Sequence, residues 1–403
     1  MSDRLCPRDE AEVVETVRWA ISEGRTLEVA GTGSKRRLGR HVQTDATLDL
    51  SSLTGVTLYE PEELVLSARA GTPLSEIREL VAGSKQMLAF EPMDYGPLFG
   101  KPSGGGTLGG MMATNLAGPR RPSAGAARDH ALGLRGVSGR GEAFKAGGRV
   151  VKNVTGYDLP RGLAGSYGTL AAFTELTIKV LPRPETQETL LILGLDEAAG
   201  ASAMSAAVGS YYDVSGAAHL PAEIAATIPV VAEAGTSITC LRLEGVLPSI
   251  VHRRAKLEEM LGARGTLGFL TAEKSAALWE ALRDALPFAI DTTRALWRVS
   301  TAPMAAPTLG AAMRTLGAAC FYDWTGGLVW IEMPDGEPRA GTLRTALREF
   351  GGHATLIRAS ESARAALDVF EPLDAVTGAL VTRMKNSFDP SRVLNPGRMY
   401  AGV

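Results

Sequence analysis

The run GGGTLGGMMATNLAG occupies residues 104–118 and combines glycines with small polar side chains. It lies in the most glycine-rich part of the chain, since 19 of the 46 glycines fall between residues 96 and 168. Glycine is selected where the backbone needs a positive φ or where main chain must approach another group closely. We therefore expect main chain in this region to wrap around a ligand, with a flexible loop as the alternative interpretation.

A second glycine loop, Gly31-Thr32-Gly33-Ser34, directly follows a predicted strand at Leu27–Ala30. Its amides and hydroxyls are suited to binding phosphate, and a plain turn is the alternative. The loop is not a Rossmann fingerprint, because Arg36 stands where the third glycine is needed. The segment 96–103 also lacks the spacing of a Walker loop. The sequence therefore disfavours phosphate sites of the NAD and ATP types.

Two further runs follow, VVKNVTGYD at 150–158 and GSYGTL at 165–170. The second leads into a predicted strand that ends near Leu181, and the prolines at 182 and 184 predict a domain boundary. Upstream of that boundary, helix and strand patterns alternate. Downstream, they predict helices over an antiparallel sheet, which gives an α+β chain. The predicted units are residues 1–184, a middle domain at 185–359 and a C-terminal tail at 360–403.

Local signals place several of these elements. Asp9 with Glu12 three residues later predicts the start of a helix, and Pro73 is suited to the first position of another. Residues 87–90 predict a short strand, and the tail is predicted to be helical from 360 to 388 before the prolines at 390 and 396.

Composition limits the possible functions. The 403 residues carry a net charge of −2, which gives no basic excess for binding nucleic acid or anionic lipid. The three cysteines, Cys6, Cys240 and Cys320, form no disulfide framework and no iron–sulfur set. The first residues lack an apolar leader, and no run of residues is apolar and long enough to span a bilayer. We expect a cytoplasmic protein, with at most peripheral contact with the inner membrane.

Taken in this order, the motifs resemble those of the vanillyl-alcohol-oxidase-type flavoproteins, whose FAD domain is also called PCMH-type. Within that family the chain is most similar to the FAD-binding E-type subunits of bacterial glycolate oxidases. The matching stretches are 29–34, 106–118, 128–133, 151–158, 165–181 and FDPSRVLNPG at 388–397. The resemblance implies a PCMH-type FAD-binding domain of two α/β subdomains with an α+β cap built on an antiparallel sheet.

The resemblance also assigns cofactor-binding positions. The first loop would hold the FAD pyrophosphate, the 104–118 run would line the ribityl chain and ring, and the segment at 165–170 would hold the adenine side. The implied FAD-binding residues are Gly31, Thr32, Gly33, Ser34, Pro92, Asp94, Thr107, Gly109, Gly110, Ala113, Thr114, Asn115, Gly118, Gly165, Gly168, Thr169, Leu170 and Asn395.

The chain departs from the family pattern at two points. Many relatives attach FAD covalently through a histidine just after the first loop, where this chain has Ser34 and Lys35, so the FAD is expected to be non-covalent. His41 is the alternative attachment point. The five histidines are isolated in sequence, and no metal site is expected. His130, beside Asp129 in a matching stretch, has the best claim among them to lie near the cofactor.

The resemblance implies an FAD-dependent subunit of a complex that oxidises glycolate to glyoxylate. Its expected partners are a catalytic FAD-linked D-type subunit and an iron–sulfur F-type subunit. The alternatives are a stand-alone oxidoreductase acting on another 2-hydroxyacid or alcohol, and a scaffold without cofactor. A hydroxyacid needs a cation for its carboxylate and a base for its hydroxyl. The catalytic base is unassigned, and the candidate cations are Lys152, Arg358, Lys385 and Arg398.

Overall fold

A computed structural model describes residues 3–149 and 156–403 of the protein. Its strands, in chain order, are β1 (Asp3–Leu5), β2 (Leu27–Ala30), β3 (Ala46–Asp49), β4 (Val56–Glu60), β5 (Val65–Arg69), β6 (Gln86–Met87), β7 (Ala131–Ser138), β8 (Ala143–Gly147), β9 (Ala171–Lys179), β10 (Leu181–Pro182), β11 (Thr186–Leu193), β12 (Gly216–Leu220), β13 (Ile238–Gly245), β14 (Thr266–Thr271), β15 (Leu296–Ser300), β16 (Ala319–Asp323), β17 (Leu328–Glu332) and β18 (His353–Arg358).

The α-helices are α1 (Glu10–Ser22), α2 (Leu74–Gly83), α3 (Leu108–Ala113), α4 (Arg121–Ala124), α5 (Leu159–Leu163), α6 (Glu197–Val208), α7 (Ala222–Ala225), α8 (Leu247–Leu261), α9 (Ala272–Arg283), α10 (Ala306–Arg314), α11 (Ala340–Arg348), α12 (Glu361–Ala366) and α13 (Ala375–Phe388). Across the described ranges, none of these helices is long and apolar enough to cross a membrane.

The strands form four sheets. The N-terminal sheet is parallel, with the order β1-β3-β2, and an antiparallel sheet follows it with the order β4-β5-β9-β7-β8. Strands β6 and β10 form a small antiparallel pair. The remaining strands form one eight-stranded antiparallel sheet with the order β14-β11-β13-β12-β16-β17-β15-β18. The predicted α+β fold with an antiparallel sheet in its second half is therefore confirmed.

The central strands of the eight-stranded sheet are buried on both faces, whereas the edge strand β14 is partly exposed. Along β17, Leu328 and Trp330 point into a core shared with the first half of the chain. Val329 and Ile331 alternate with them and pack under the helices of the second half. Because successive side chains of a strand point to opposite faces, a strand covered on both sides is apolar at every position. This sheet therefore joins the two halves of the molecule through a continuous core.

The N-terminal helix folds as its sequence predicts. Asp9 caps it, since the carboxylate accepts a hydrogen bond from the Glu12 amide at 2.9 Å. Val13, Val17 and Ala20 are buried against the parallel sheet. The helix therefore fixes the position of β2, the strand that leads into the glycine loop at 31–34.

Two predicted elements were wrong in extent. The strand expected at 87–90 is only the two residues of β6, because Glu91 turns back with φ +48° and its amide bonds to the Leu88 carbonyl at 3.0 Å. The helical tail expected over 360–388 is two helices. Leu367 leaves the helical conformation with ψ 155°, and Asp374 caps the second helix. Pro372 lies in the gap and has no amide proton to continue a helix.

A buried ion pair anchors the end of the tail. Lys385 and Asp389 are fully buried, and their charged atoms lie 2.8 Å apart. The Lys385 ammonium also donates to the carbonyls of Thr169 at 2.6 Å and Leu394 at 2.9 Å. The Asp389 carboxylate accepts the amides of Val393 and Leu394. Burial lowers the pKa of Lys385, and Asp389 opposes that shift.

Replacing Lys385 with Met is expected to lower the free energy of unfolding by about 3–5 kcal/mol, because Asp389 is left buried without its counter-charge. Removing the Arg8 side chain from its exposed pair with Glu12 is the control, and it is expected to lower the free energy of unfolding far less, because solvent screens that pair. Urea unfolding measures both variants. Equal losses in the two variants would contradict the anchoring role of the buried pair.

Candidate functional site

A cleft opens where the first glycine loop, the start of α3 and the C-terminal segment meet. Most of its lining is main chain and small side chains. The lining residues are Glu28, Val29, Ala30, Gly31, Thr32, Gly33, Ser34, Lys35, Arg36, Leu50, Ala70, Thr107, Gly109, Gly110, Ala113, Thr114, Tyr167, Gly168, Ala171, Phe173, Asn395 and Arg398.

The glycines of the cleft permit close approach between its walls. A Cβ on Gly31 would lie 2.9 Å from Thr107 Oγ1, and a Cβ on Gly109 would lie 2.9 Å from the Ala70 Cβ. Gly33 has φ +78°, a conformation that L side chains rarely adopt. The loop at 31–34 and the start of α3 therefore face each other with main chain exposed, and the Thr107 hydroxyl fixes the helix start by accepting the Gly110 amide at 3.2 Å.

Lys35 supplies the positive charge of the cleft. Its Nζ lies 3.5 Å from the Cβ position of Gly110 and 3.6 Å from that of Gly106. Its hydrogen-bond partner is Ser34 Oγ at 3.2 Å, and in residues 3–149 and 156–403 it has no carboxylate within 4 Å. Burial lowers the pKa of Lys35 to about 8, and the more distant Asp94 opposes that shift. An ammonium in this state favours a bound anion.

The C-terminal segment closes one wall of the cleft. Asn395 has φ +42°, accepts the Val29 amide at 3.0 Å and donates to the Tyr167 carbonyl at 2.8 Å. A Cβ on Gly168 would lie 2.8 Å from Asn395 Nδ2, so glycine is required there. Arg398 is buried and donates to the Arg36 carbonyl at 2.6 Å, and burial lowers its pKa to about 10.

The cleft brings together part of the predicted FAD-binding set: Gly31, Thr32, Gly33, Ser34, Thr107, Gly109, Gly110, Ala113, Thr114, Gly168 and Asn395. The other predicted positions are not among its lining residues. Asp94 holds the 94–104 segment by accepting the amides of Gly96 at 2.9 Å and Gly104 at 2.6 Å. Asn115 accepts the Arg128 amide at 3.0 Å. Thr169 bonds to the Ser166 carbonyl at 2.7 Å.

The remaining members of the set, Pro92, Gly118, Gly165 and Leu170, also lie outside the lining. Leu170 belongs to the hydrophobic core. Gly165 donates its amide to the Met112 carbonyl at 3.0 Å, behind α3. The Pro92 carbonyl accepts a hydrogen bond from Arg78 at 2.6 Å.

The basic residues that the sequence analysis proposed for binding a substrate carboxylate lie in different parts of the fold. Arg398 lines the cleft. Arg358 is fully buried on β18 and pairs with Glu332 at 2.8 Å, and Lys385 belongs to the tail anchor. Lys152 and most of the 150–158 run lie outside the described residues; of the rest, Tyr157 is exposed and Asp158 caps α5.

The histidines do not build the cleft. His41 is exposed and is not among the lining residues. His130 is buried, with Nε2 2.8 Å from the Ala124 carbonyl oxygen and its ring against Phe90. In the ranges 3–149 and 156–403, no three His, Cys, Asp or Glu side chains are placed to hold a metal ion.

The sequence analysis did not identify Lys35, Tyr167 and Phe173 as cleft residues. The position of Lys35, next to the glycine loop, was a usable signal, because a lysine beside a phosphate loop supplies the complementary charge. Arg398 was proposed as a candidate cation, but its contacts with the 35–36 backbone could not be predicted, because they connect positions more than 360 residues apart in the chain.

Comparisons with known proteins agree with this geometry. A family model described as "FAD binding domain" matches residues 4–147. The chain is 36% identical over 400 residues to the glycolate oxidase subunit GlcE of Escherichia coli strain K12, and the match covers 99% of both chains. It is 31% identical over 195 residues to the glycolate oxidase subunit GlcD of Bacillus subtilis strain 168, covering 45% of this chain and 40% of that protein.

Solved structures share the fold. Substrate-bound p-cresol methylhydroxylase matches with a TM-score of 0.72 at 15% identity, covering 98% of this chain and 88% of that one. Alkyldihydroxyacetonephosphate synthase matches with a TM-score of 0.70 at 18% identity, covering 98% and 75%. The PCMH-type fold expected from the sequence is therefore confirmed. The cleft fits FAD, since glycine main chain and an ammonium with no carboxylate within 4 Å, among the described residues, suit a pyrophosphate.

Replacing Gly33 with Val is expected to abolish retention of FAD. A β-branched residue at φ +78° is strained by about 1–2 kcal/mol, and its methyl groups occupy cleft space. Gly24→Val is the matched control, because Gly24 also has a positive φ, +62°, but nothing lies within 4 Å of its Cβ position. Flavin absorbance of the purified variants measures the effect. If the Gly33→Val variant retains its full FAD content, the pyrophosphate does not bind at this loop.

A second prediction concerns the pH dependence of FAD binding. The phosphate charge favours protonated Lys35, so affinity should fall as pH rises above 8, by up to about tenfold per pH unit. The protein without FAD should show the opposite trend and gain stability from pH 8 toward 10.5, because the unfolded lysine still binds the proton that the folded one has lost.

Lys35→Met is expected to remove both trends and to weaken FAD binding at pH 7, whereas Lys101→Met, at an exposed position, should leave them intact. Fluorescence titration of FAD and thermal unfolding across pH 7–10 provide the measurements. A pH dependence that survives in the Lys35 variant would exclude this ammonium as its source.

Proposed function

The chain belongs to the FAD-binding flavoprotein family that includes the glycolate oxidase subunit GlcE, and from that premise we propose that it is the FAD-binding subunit of a glycolate-oxidising complex. The complex converts glycolate to glyoxylate and passes the electrons onward. This chain holds a flavin that relays electrons beside a catalytic, FAD-linked D-type subunit. The observation that carries the proposal is a full-length match to GlcE in a chain whose cleft fits FAD.

The residues of the cleft bind and orient the cofactor. Lys35 neutralises phosphate charge, the loop at 31–34 offers its amides, and Asn395 fixes the wall opposite α3. When bound, the flavin accepts and donates the electrons of the reaction. No imidazole lies in the described lining, and the Glu28 carboxylate is held by Arg36 at 3.1 Å. The absence of a free imidazole or carboxylate from the described lining supports a relay role and a separate catalytic partner.

Electron transfer away from this flavin is assigned to an iron–sulfur partner subunit. Cys240 and Cys320 are buried in the cores, and Cys6 is exposed near the N-terminus, so these free thiols do not converge. Burial raises the pKa of the Cys240 thiol above its usual range, which keeps it from acting as a thiolate ligand. A cluster in the same complex then needs cysteines from another chain.

We also propose the division of labour along the chain. Residues 1–184 form the FAD-binding domain, residues 185–359 form a cap or interface domain, and residues 360–403 return to the cleft. The turn between β10 and β11, with Pro184, supports this boundary. The proposed location is the cytoplasm, with any membrane contact confined to the inner membrane surface.

The experiment compares the chain alone with the chain co-expressed with a D-type and an iron–sulfur subunit. The chain alone is expected to purify with the absorbance of oxidised flavin and to show no glycolate-dependent dye reduction. The co-expressed complex is expected to reduce the dye. Substantial turnover by the chain alone would instead identify a stand-alone oxidoreductase, and a colourless folded chain that takes up no FAD would contradict the proposal.

A further inference from the structure

Helix α13 (Ala375–Phe388) is anchored to the rest of the molecule at its C-terminal end. Its last turns pack through Met384 and Phe388 against the hydrophobic core, and Lys385 is buried in the tail anchor. Residues 375–383 include no buried side chain. In the described part of the chain, no hydrogen bond or ion pair joins residues 375–383 to another segment. The first half of α13 therefore lies against solvent.

A helix with so little cover is unusual in this fold. Every other described helix of eight residues or more buries at least three side chains, whereas α13 buries Lys385 alone. Short helices in water gain most of their stability from the packing of one face. Gly378, in the middle of α13, weakens the helix further. The exposed half of α13 thus lacks the packing contact that a helix of this length needs.

The solvent face of α13 carries apolar side chains at helical spacing. Val376, Leu380 and Arg383 follow one another at i, i+4 and i+7, so they lie on one face of the helix. Val376 is 72% exposed and Leu380 is 50% exposed. Ala379 is also exposed and lies between them, and its small side chain allows another helix to approach closely. This face has the form of a helix-packing surface.

The two ends of α13 carry opposite charges. At the first end, the Asp374 carboxylate caps the helix by accepting the Val376 amide at 2.9 Å, and in the described residues it has no Lys or Arg nitrogen within 4 Å. At the other end, Arg140 and Arg392 donate hydrogen bonds to the last turns of the helix. Neither they nor Arg383 have a carboxylate oxygen within 4 Å across the described ranges. The helix is therefore acidic where it begins and basic where it ends.

We propose that α13 is a dimerisation surface, on which a second copy of this chain docks its own α13 in antiparallel orientation. A two-fold axis then places Asp374 of each copy beside Arg383 of the other, so the same opposite-charge contact forms twice. Val376 and Leu380 of the two copies pack together around the Ala379 side chains. Parallel docking would instead place like charges side by side.

The size of the surface sets the strength of the dimer. One helix face buries less than the roughly 800 Å² per partner of a standard interface. The dimer is therefore expected to be reversible, with a dissociation constant in the micromolar range. The inference goes beyond the proposed function, because neither FAD binding nor electron relay requires two copies of the chain.

The test is sedimentation velocity of the FAD-loaded full chain across the micromolar range. We expect a monomer–dimer equilibrium that shifts toward the monomer as salt is added, because salt screens the exposed charges at both ends of the helix. A chain that stays monomeric across this range would overturn the proposal. A chain that is monomeric by itself and uses α13 to bind a D-type or iron–sulfur subunit would also overturn it, since the occupant is then not a second copy.

Substitutions on the exposed face locate the interface. Arg383→Glu sets a like charge against Asp374 of the other copy, and Leu380→Glu places a charge in the apolar contact. Each should raise the dissociation constant of the dimer by about tenfold or more, and Arg383→Lys should keep most of the affinity. The matched controls are Arg348→Glu, at an exposed arginine of α11, and Ile290→Glu, at an apolar side chain that is 77% exposed. Both controls should dimerise like the unmodified chain.

Flavin absorbance and far-ultraviolet circular dichroism check that each variant is folded. A dimer that survives both Arg383→Glu and Leu380→Glu forms through another surface, which contradicts the assignment to α13. An unmodified chain that binds no FAD would count against the proposed function, while its dimerisation through α13 could still be measured.

Discussion

Asn395 joins parts of the protein that are far apart in sequence. Its side chain accepts from the backbone of Val29 and donates to the backbone of Tyr167, so a single amide holds the C-terminal segment against β2 and the 165–168 turn. The buried pair of Lys385 and Asp389 brings that segment into place. The cleft depends on this arrangement because one wall comes from residues 395–398 and the other walls come from the first half of the chain.

The sequence predicted the parts of the fold that rest on local rules. Helix α1 follows from its cap at Asp9 and from the apolar residues spaced along one face. The prediction of a strand at 87–90 was wrong because the extent of β6 depends on its partner β10, which has only two residues and ends at a proline. The prediction of one continuous helical tail was wrong because the break at residues 367–374 is set by packing and by a helix cap rather than by the apolar pattern.

The candidate site shows the same division. The glycine positions in the cleft could be predicted, because a close approach of main chain requires glycine and therefore makes that part of the sequence rich in glycine. The contacts of Asn395 with Val29 and Tyr167 could not, because they join residues that are 366 and 228 positions apart in the chain. Only the tertiary fold brings these segments together.

The closure of the cleft by Asn395 has a consequence for the lifetime of the protein. A ligand that binds only the folded state stabilises it by RT ln(1 + [L]/Kd), so the stabilisation grows with the logarithm of the ligand concentration. Bound flavin adds its own contacts to those that hold the wall at 395–398, and a locally opened segment is a substrate for proteases. Riboflavin supply should therefore set the abundance of this subunit through degradation, so that scarce flavin leaves the cell with fewer chains rather than with a pool of empty ones.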